Sequence, residues 1–164
     1  MNKVVLVILA CFGLATNAAA LEDYIGFSLN AAKSSENGID NSSGGIAAMI
    51  SARPNQYYGY EVQAGMFGRA GPFSSNGEAD FSVAGFLPLA DSGIDVYGKV
   101  GVDSVYSTGN LFKTGFTYGA GVEYLRGKGG VRFGFQHFDV GNATQSPSLS
   151  TRLIGMTFML KLDK

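Results

Sequence analysis

Hydrophobic and polar residues alternate with a period of two along GAGVEYLRGKGGVRFGFQHF, residues 119–138. One set of alternate positions is apolar and includes Val122 and Phe133, whereas the other holds glycines and isolated charges such as Glu123 and Arg132. Successive side chains of a strand point to opposite faces, so this pattern predicts two strands. The glycine-rich basic segment between them predicts the turn of a β-hairpin.

The same alternation continues along the chain after residue 20 and predicts an all-β fold. The predicted strands are Tyr24–Asn30, Gly45–Arg53, Tyr58–Phe67, Glu78–Phe86, Ile94–Asp103, Gly115–Leu125, Val131–Phe138 and Thr151–Leu162. No segment has the 3.6-residue period of an amphipathic helix. No apolar run of about 18 residues follows residue 20, so the sequence predicts no transmembrane helix.

The predicted connections alternate between short and long. The short ones are residues 54–57, 87–93 and 126–130, and the long ones are residues 31–44, 68–76, 104–114 and 139–150. If the strands run up and down, every long connection lies at one end of the sheet and both chain termini lie at the other. Short periplasmic turns and longer extracellular loops are typical of outer-membrane barrels.

The two faces of the predicted strands differ in charge. The apolar set contains no Asp, Glu, Lys or Arg, and a Lys or Arg on a lipid-facing wall would cost about 2–4 kcal/mol at the midplane. The opposite set combines glycines with charges, as expected of a narrow lumen in which glycine leaves room for large side chains. Because an isolated ion there would cost several kcal/mol, we expect a lumen charge network. Its predicted members are Glu61, Asp80, Lys99, Glu123 and Arg132.

The first 20 residues have the features of a cleavable signal peptide. Lys3 precedes an apolar run, and three alanines, Ala18 to Ala20, form a small-residue cleavage pattern. The alternative, a lipoprotein site at Cys11, would follow an unusually short apolar segment. Cleavage leaves residues 21–164 as one barrel domain without cysteine, which excludes disulfides and thiolate chemistry.

Composition favours a membrane barrel over the soluble alternatives, a β-sandwich or a lipocalin-like barrel. Charged residues make up 15% of the chain, against roughly 25% in ordinary soluble domains. Tyr58 and Tyr124 lie beside short turns, as in an aromatic girdle. The formal net charge of −1 gives no indication of a nucleic-acid partner.

Four segments resemble the eight-stranded transmembrane domain of the OmpA type, and the resemblance covers nearly all of residues 21–164. They are YIGFSLN from Tyr24, DVYGKVGV from Asp95, YGAGVEYLRGKGGVRFGFQHFDVG from Tyr118, and RLIGMTFML from Arg152. The family places a Glu–Arg–Lys–Glu cluster inside the barrel, and Glu61, Lys99, Glu123 and Arg132 match it in type and strand. The segment corresponding to the family's peptidoglycan-binding domain is not found, and the chain ends in TFMLKLDK rather than in an aromatic residue.

The single histidine gives no catalytic arrangement. The segment QHFDVGNA resembles the His-x-Ser signature of outer-membrane lipid A deacylases, but the second residue after His137 is Asp139, so the serine nucleophile is missing from that place. We therefore expect no catalytic residue, no metal and no cofactor, and we interpret His137 as a residue of the extracellular rim on the outward face.

The sequence predicts a monomeric, non-enzymatic protein of the outer membrane with a role in envelope structure or surface contact. Its expected partners are membrane lipids, the outer-membrane assembly machinery and a surface ligand bound by the extracellular loops. Three alternatives remain: a narrow diffusion pore gated by the internal ion pairs, a lipid-modifying enzyme using His137, and a secreted soluble barrel that binds an apolar ligand.

Overall fold

A computed structural model of the protein describes residues 22–36, 39–68, 75–107, 111–140 and 149–163. The predicted signal peptide, residues 1–20, lies outside the described residues. Within those ranges, no helix is long and apolar enough to cross a membrane.

Eight antiparallel strands form a closed barrel in which each strand pairs with the next and the last pairs with the first. The strands are β1 (Glu22–Glu36), β2 (Ile39–Arg53), β3 (Tyr58–Gly68), β4 (Ser75–Pro88), β5 (Ile94–Ser107), β6 (Leu111–Arg126), β7 (Gly129–Val140) and β8 (Leu149–Leu162). A short 3-10 helix, Ala90–Ser92, lies between β4 and β5. The predicted all-β, up-and-down barrel is confirmed.

The strands extend well past the predicted boundaries at one end of the barrel, so the long connections were overestimated. Residues 31–36 pair with residues 39–44 in a continuous ladder, although they were predicted to be a loop. Main-chain hydrogen bonds between strands require no apolar side chain, so the ladder continues where the apolar alternation has ended. The alternation therefore marks the part of each strand with an apolar outer face, not the whole strand.

The barrel has two distinct ends. The turn end carries the connections 54–57, 89–93 and 127–128 together with Glu22 and Asp163, the first and last described residues. The other end, called the loop end, is where the remaining strand ends lie; the four connections there, residues 37–38, 69–74, 108–110 and 141–148, lie outside the described part of the chain.

The outer wall consists of the predicted apolar set. Its side chains are exposed although they are large and hydrophobic: Phe116 is 78% exposed, Ile154 68% and Val100 65%. Tyr58 and Tyr124 are exposed near the turn end, as a girdle requires. In the described residues, charged side chains occupy outward positions only near the two ends of the strands. Such a continuous apolar wall is far larger than the apolar patches that soluble monomers expose. It matches the lipid-facing band of a transmembrane barrel.

The lumen contains apolar layers that the prediction of a charged, glycine-lined interior did not include. Near the loop end an apolar cluster closes it, formed by Ala32, Phe67, Val105, Phe138, Val140 and Leu153. Nearer the turn end, Tyr24 packs with Met49 and Met159, and Phe86 packs with Tyr97. Inward-facing residues include these apolar side chains because a narrow barrel is filled by its own side chains.

The exposed wall predicts the effect of a charge at its centre. Val100→Arg should reduce the free energy of unfolding by about 2–4 kcal/mol if the side chain contacts hydrocarbon. The measurement is urea unfolding of the barrel refolded in phospholipid vesicles, with Val100→Leu as the matched control. Equal stability of the two variants would contradict the assignment of this face to lipid.

Candidate functional site in the barrel lumen

Glu123 lies at the centre of the lumen charges, between two arginines. Its carboxylate accepts hydrogen bonds from Arg132 Nε at 3.1 Å and Arg132 Nη2 at 2.9 Å. From the other side, Arg53 Nη2 lies 2.6 Å from Glu123 Oε1. Arg53 Nη1 also lies 3.6 Å from Asp95 Oδ2. Glu123 is fully buried, so these guanidinium groups replace the water that a carboxylate would otherwise need.

Arg132 extends the series of ion pairs toward the loop end. Arg132 Nη1 lies 2.7 Å from Glu61 Oε1, and Lys99 Nζ lies 3.9 Å from Glu61 Oε2. Lys99 Nζ also lies 3.5 Å from Asp80 Oδ2. The sign of the charge therefore alternates along the series Asp95, Arg53, Glu123, Arg132, Glu61, Lys99, Asp80.

These ion pairs cross the lumen. In a closed barrel of eight strands taken in sequence order, β2 lies opposite β6, and β3 lies opposite β7. The Arg53–Glu123 pair joins β2 to β6, and the Arg132–Glu61 pair joins β7 to β3. Each pair thus connects opposite walls, so the network acts as a cross-brace.

Aromatic rings cover the guanidinium groups. Arg53 lies 3.8 Å from the ring centroid of Phe86, and Arg132 lies 4.4 Å from that of Tyr97. A cation over an aromatic face gains about 2 kcal/mol or more where both groups are desolvated. The rings near the turn end therefore stabilise the same cations that the carboxylates pair with.

Amides and carboxylates dominate the half of the lumen nearer the loop end. Gln136 Nε2 donates to Asp80 Oδ2 at 2.7 Å, and Gln63 Nε2 donates to Glu78 Oε1 at 3.1 Å. Asp103, which is fully buried, is the cross-strand partner of Asp80. Lys99 is the cation that pairs with Asp80, so the carboxylates of this group outnumber the cation paired with them.

Glycines supply the space for the large lumen side chains, although their neighbours differ from the expectation. A Cβ at Gly134 would lie 2.1 Å from the Tyr97 hydroxyl, and one at Gly155 would lie 1.9 Å from Asn30 Oδ1. By contrast, a Cβ at Gly119 would lie 3.5 Å from Lys99 Cγ, which is an ordinary van der Waals distance. Most of the crowded positions thus accommodate tyrosine, asparagine or neighbouring backbone rather than the ions themselves.

The space left in the lumen is small. A cavity of about 30 Å³ borders Lys99, Arg132 and Gln136, and a water needs roughly 10–15 Å³ measured in this way. The cavity can hold one or two waters and no metabolite. Among the described residues, no group of three or more His, Cys, Asp or Glu side chains is arranged to hold a metal ion.

The structure places all five predicted network residues in the lumen and adds others. Arg53, Asp95 and Glu78 share the inward parity of their strands, and this was the signal available in the sequence. Arg53 and Asp95 were missed because they lie beside turns, where charged residues are ordinarily solvated. The parity of their strands directs both side chains into the barrel, where Arg53 lies over the rings of Tyr24 and Phe86.

His137 occupies the outward position predicted for it but is only 8% exposed. Its ring packs against Tyr118, with the ring centroids 5.0 Å apart, and its Nε2 lies 3.1 Å from Asp139 Oδ2. The acid is present, whereas no serine nucleophile contacts the ring among the described residues.

A closed eight-stranded barrel with an apolar outer wall and a lumen filled by ion pairs is the architecture of OmpA-like outer-membrane β-barrels. The fold and the apolar wall together place the protein in an outer membrane. No protein-family model matches the chain, and no curated protein matches it.

Solved structures of outer-membrane barrels share this fold at low sequence identity. Neisserial surface protein A superposes with a TM-score of 0.70 at 12% identity, over 85% of this chain and 97% of that one. Ail, the attachment invasion locus protein of Yersinia pestis, gives 0.57 at 14% identity over 85% and 98%. The outer membrane enzyme PagL gives 0.50 at 12% identity over 82% and 99%. Because these neighbours include an enzyme, the fold does not determine a specific role.

The cross-brace predicts a large penalty for removing its central arginine. Arg132→Ala leaves Glu123 with Arg53 alone and Glu61 with Lys99 alone, at 3.9 Å. The loss of two buried ion pairs should lower the free energy of unfolding by about 3–5 kcal/mol. Arg126→Ala, at the exposed turn end, should change it by no more than about 0.5 kcal/mol. Urea unfolding in vesicles measures both.

Adding Glu123→Ala to Arg132→Ala tests whether the two residues share one network. The double variant should lose less stability than the sum of the single losses, by about 0.5–3 kcal/mol. Strictly additive losses would show that the two charges do not interact.

The contact between Gly134 and Tyr97 predicts that Tyr97→Phe partly suppresses the destabilising effect of Gly134→Ala. Gly134→Ala places a methyl group against the Tyr97 hydroxyl and should cost about 1–3 kcal/mol through overpacking. Tyr97→Phe removes that hydroxyl and should restore part of the loss. Gly98→Ala is the matched control, because its Cβ would face outward with its nearest neighbour 3.9 Å away. A suppressor without effect in the same unfolding assay would contradict the packing described here.

Proposed function

We propose that the protein is a closed outer-membrane barrel, without enzymatic activity, that contributes to envelope structure and surface contact. The observation that carries this proposal is the cross-brace of Arg53, Glu123, Arg132 and Glu61, which joins opposite walls through the lumen. A pathway for solute would require these ions to separate, and each would then lose partners that offset its desolvation.

The orientation follows from the positions of the termini. The turn end carries both described termini and short connections, and we assign it to the periplasm, which leaves the loop end outside the cell. In this orientation the export segment, residues 1–20, delivers the chain to the assembly machinery. The barrel acts as a monomer, since closure pairs every strand with two neighbours and leaves no sheet edge.

Surface contact is the role we assign to the loop end. Ail, which shares the fold, has been solved in complex with the heparin analogue sucrose octasulfate, at a TM-score of 0.56 and 13% identity to this chain. That complex supports the view that a barrel of this fold can bind a ligand.

A narrow pore is the second candidate, and the acidic half of the lumen favours it. Glu78, Asp80 and Asp103 lie together near the cavity-bearing part of the lumen, and Lys99 pairs with Asp80. Such a pore would select cations. The apolar cluster around Phe67 and Phe138 opposes it, because both side chains are buried in the lumen, with ring centroids 5.4 Å apart.

The lipid-modifying enzyme is the weaker alternative. His137 Nε2 and Asp139 Oδ2 lie 3.1 Å apart, and such a pair supplies the base and the orienting acid, two of the three members of a serine triad. Burial of the imidazole beneath Tyr118 supports an anchoring role instead.

Planar-bilayer recordings test the closed lumen. The wild-type barrel should conduct ions poorly, and Arg132→Ala should raise the conductance because it removes a brace and leaves room for water. Arg126→Ala should behave as wild type. A large, steady conductance of the wild-type barrel would favour the pore over the closed barrel.

Cysteine labelling of intact cells tests the orientation. Ser42→Cys, near the loop end, should react with a membrane-impermeant maleimide, whereas Gln56→Cys, in the turn after β2, should react only after the outer membrane is permeabilised. Gln56 is suited to this role because it is exposed, whereas Asn55 caps its turn by accepting from the backbone nitrogens of Tyr57 and Tyr58. The reverse pattern would mean that the barrel is inserted the other way.

A further inference from the structure

Three buried carboxyl groups lie together in the half of the lumen nearer the loop end. Asp80 on β4 and Asp103 on β5 are cross-strand partners, and Glu78 precedes Asp80 by two residues on the same face. Residues directly opposite each other on two strands have Cβ atoms about 4.5–5.5 Å apart, and like charges there destabilise the pairing. Three carboxylates at this spacing therefore need positive charge beside them.

The cations of the lumen do not supply enough of it. The series of ion pairs that crosses the lumen already contains four carboxylates and three cations. Glu78 and Asp103 add two carboxyl groups to that series. Lys99 is the basic side chain that acts most strongly on both. Its Nζ is shared between Asp80 at 3.5 Å and Glu61 at 3.9 Å, so it does not neutralise two further charges.

Asp80 has the surroundings of an ionised carboxylate. In addition to Lys99, the amide of Gln136 donates to its Oδ2 at 2.7 Å, and the hydroxyl of Ser82 donates to its Oδ1 at 3.2 Å. Both oxygens of Asp80 are thus bonded.

Glu78 and Asp103 have fewer donors. Gln63 Nε2 donates to Glu78 Oε1 at 3.1 Å, whereas Glu78 Oε2 is buried without a partner among the described residues. Neither oxygen of Asp103 has a side-chain donor in the described chain, and the backbone nitrogen of Ser104 is the donor that approaches this carboxyl group. An ionised carboxylate can accept about four hydrogen bonds, so both groups are poorly supported as ions.

The surroundings give these two groups little access to water. Glu78 pairs across the strands with Val105, which belongs to the apolar cluster near the loop end, and Asp103 precedes Val105 by two residues. The cavity beside Lys99 and Gln136 is bordered by none of the three carboxyl groups. A carboxyl group buried in this way is neutralised rather than left as an isolated ion.

A proton suits the site better than a metal ion. Protonation gives one carboxyl group an O–H that can donate to its neighbour, so it removes a charge and supplies a missing hydrogen bond. Carboxyl groups held too close for both to ionise share a proton in this way. A metal would need several ligands, and the described residues include no group of three or more His, Cys, Asp or Glu placed to hold one.

We propose that Glu78 and Asp103 together hold one proton in the folded barrel at neutral pH, taken from solvent when the barrel closes. In the unfolded chain both groups are ionised above about pH 5. The folded barrel then binds one more proton than the unfolded chain, so the free energy of unfolding falls as pH rises until that proton is released. The groups around the pair are Asp80 on β4, Lys99 on β5, Glu61 and Gln63 on β3, and Gln136 on β7.

Urea unfolding in phospholipid vesicles between about pH 5 and pH 9 tests this pH dependence. The unfolding equilibrium constant of the wild-type barrel should rise by up to about tenfold per pH unit, which is the limit for one proton. Asp103→Asn removes one of the two charges and should abolish most of the rise, and Glu78→Gln should do the same. Asp91→Asn, at the exposed turn end, should keep the wild-type dependence.

Infrared spectroscopy of the folded barrel at neutral pH detects the proton directly. The wild-type barrel should show the carbonyl band of a protonated carboxyl group. The band should be absent from the double variant Glu78→Gln, Asp103→Asn and should persist in Asp91→Asn. Because wild type alone gives both the band and the pH dependence, a variant that does not fold leaves the test decisive.

Three results would overturn the proposal. They are a wild-type barrel that shows no such band, an equal pH dependence in Asp103→Asn and Asp91→Asn, and a stability at fixed pH that changes when sodium replaces choline at equal ionic strength. The last result would assign the positive charge to a metal cation. A folded, membrane-inserted barrel without this proton would contradict the site and leave the proposed membrane function intact.

Discussion

The ion pairs that cross the lumen are the interaction on which the rest of this barrel depends. A bilayer-facing wall admits no charge, so every strand must direct its charged residues into a space that its own side chains nearly fill. A carboxylate such as Glu123 is tolerated there because two guanidinium groups contact it, and Arg132 because it lies between two carboxylates. Alternating signs let each ion serve two neighbours, which offsets its desolvation.

The ion-pair network determines which strands carry large inward side chains and which carry small ones. The charged network comes from β2 to β7, whereas β1 and β8 contribute the small pair Ser28 and Thr157, whose hydroxyls lie 2.7 Å apart. Gly134 on β7 leaves room for the Tyr97 ring of β5, and this ring covers Arg132, which is also on β7. The inner-face glycine at position 134 thus makes room for a ring that covers the network rather than for one of its ions.

Much of this could be predicted from the sequence, because a two-residue period shows which face of the sheet each side chain occupies. The apolar wall and five of the lumen charges follow from that period, whereas the up-and-down order of the strands was predicted from the alternation of short and long connections. Which charges meet does not follow, because Arg53 and Glu123 are 70 residues apart and come together only when the barrel closes. The extent of the strands was also hidden, since backbone pairing near Lys33 continues without an apolar pattern.

A filled lumen leaves the surface as the place where this barrel can interact. The lumen is occupied by the brace near the turn end and by the cluster around Phe138 near the loop end, and a cavity of about 30 Å³ admits only water. The outer wall is apolar until it reaches its two rims, where exposed charged side chains such as Lys33, Arg126 and Arg152 begin. Because an apolar wall offers few polar contacts, polar contacts with surrounding molecules must form at these rims, where exposed charges and an apolar surface adjoin.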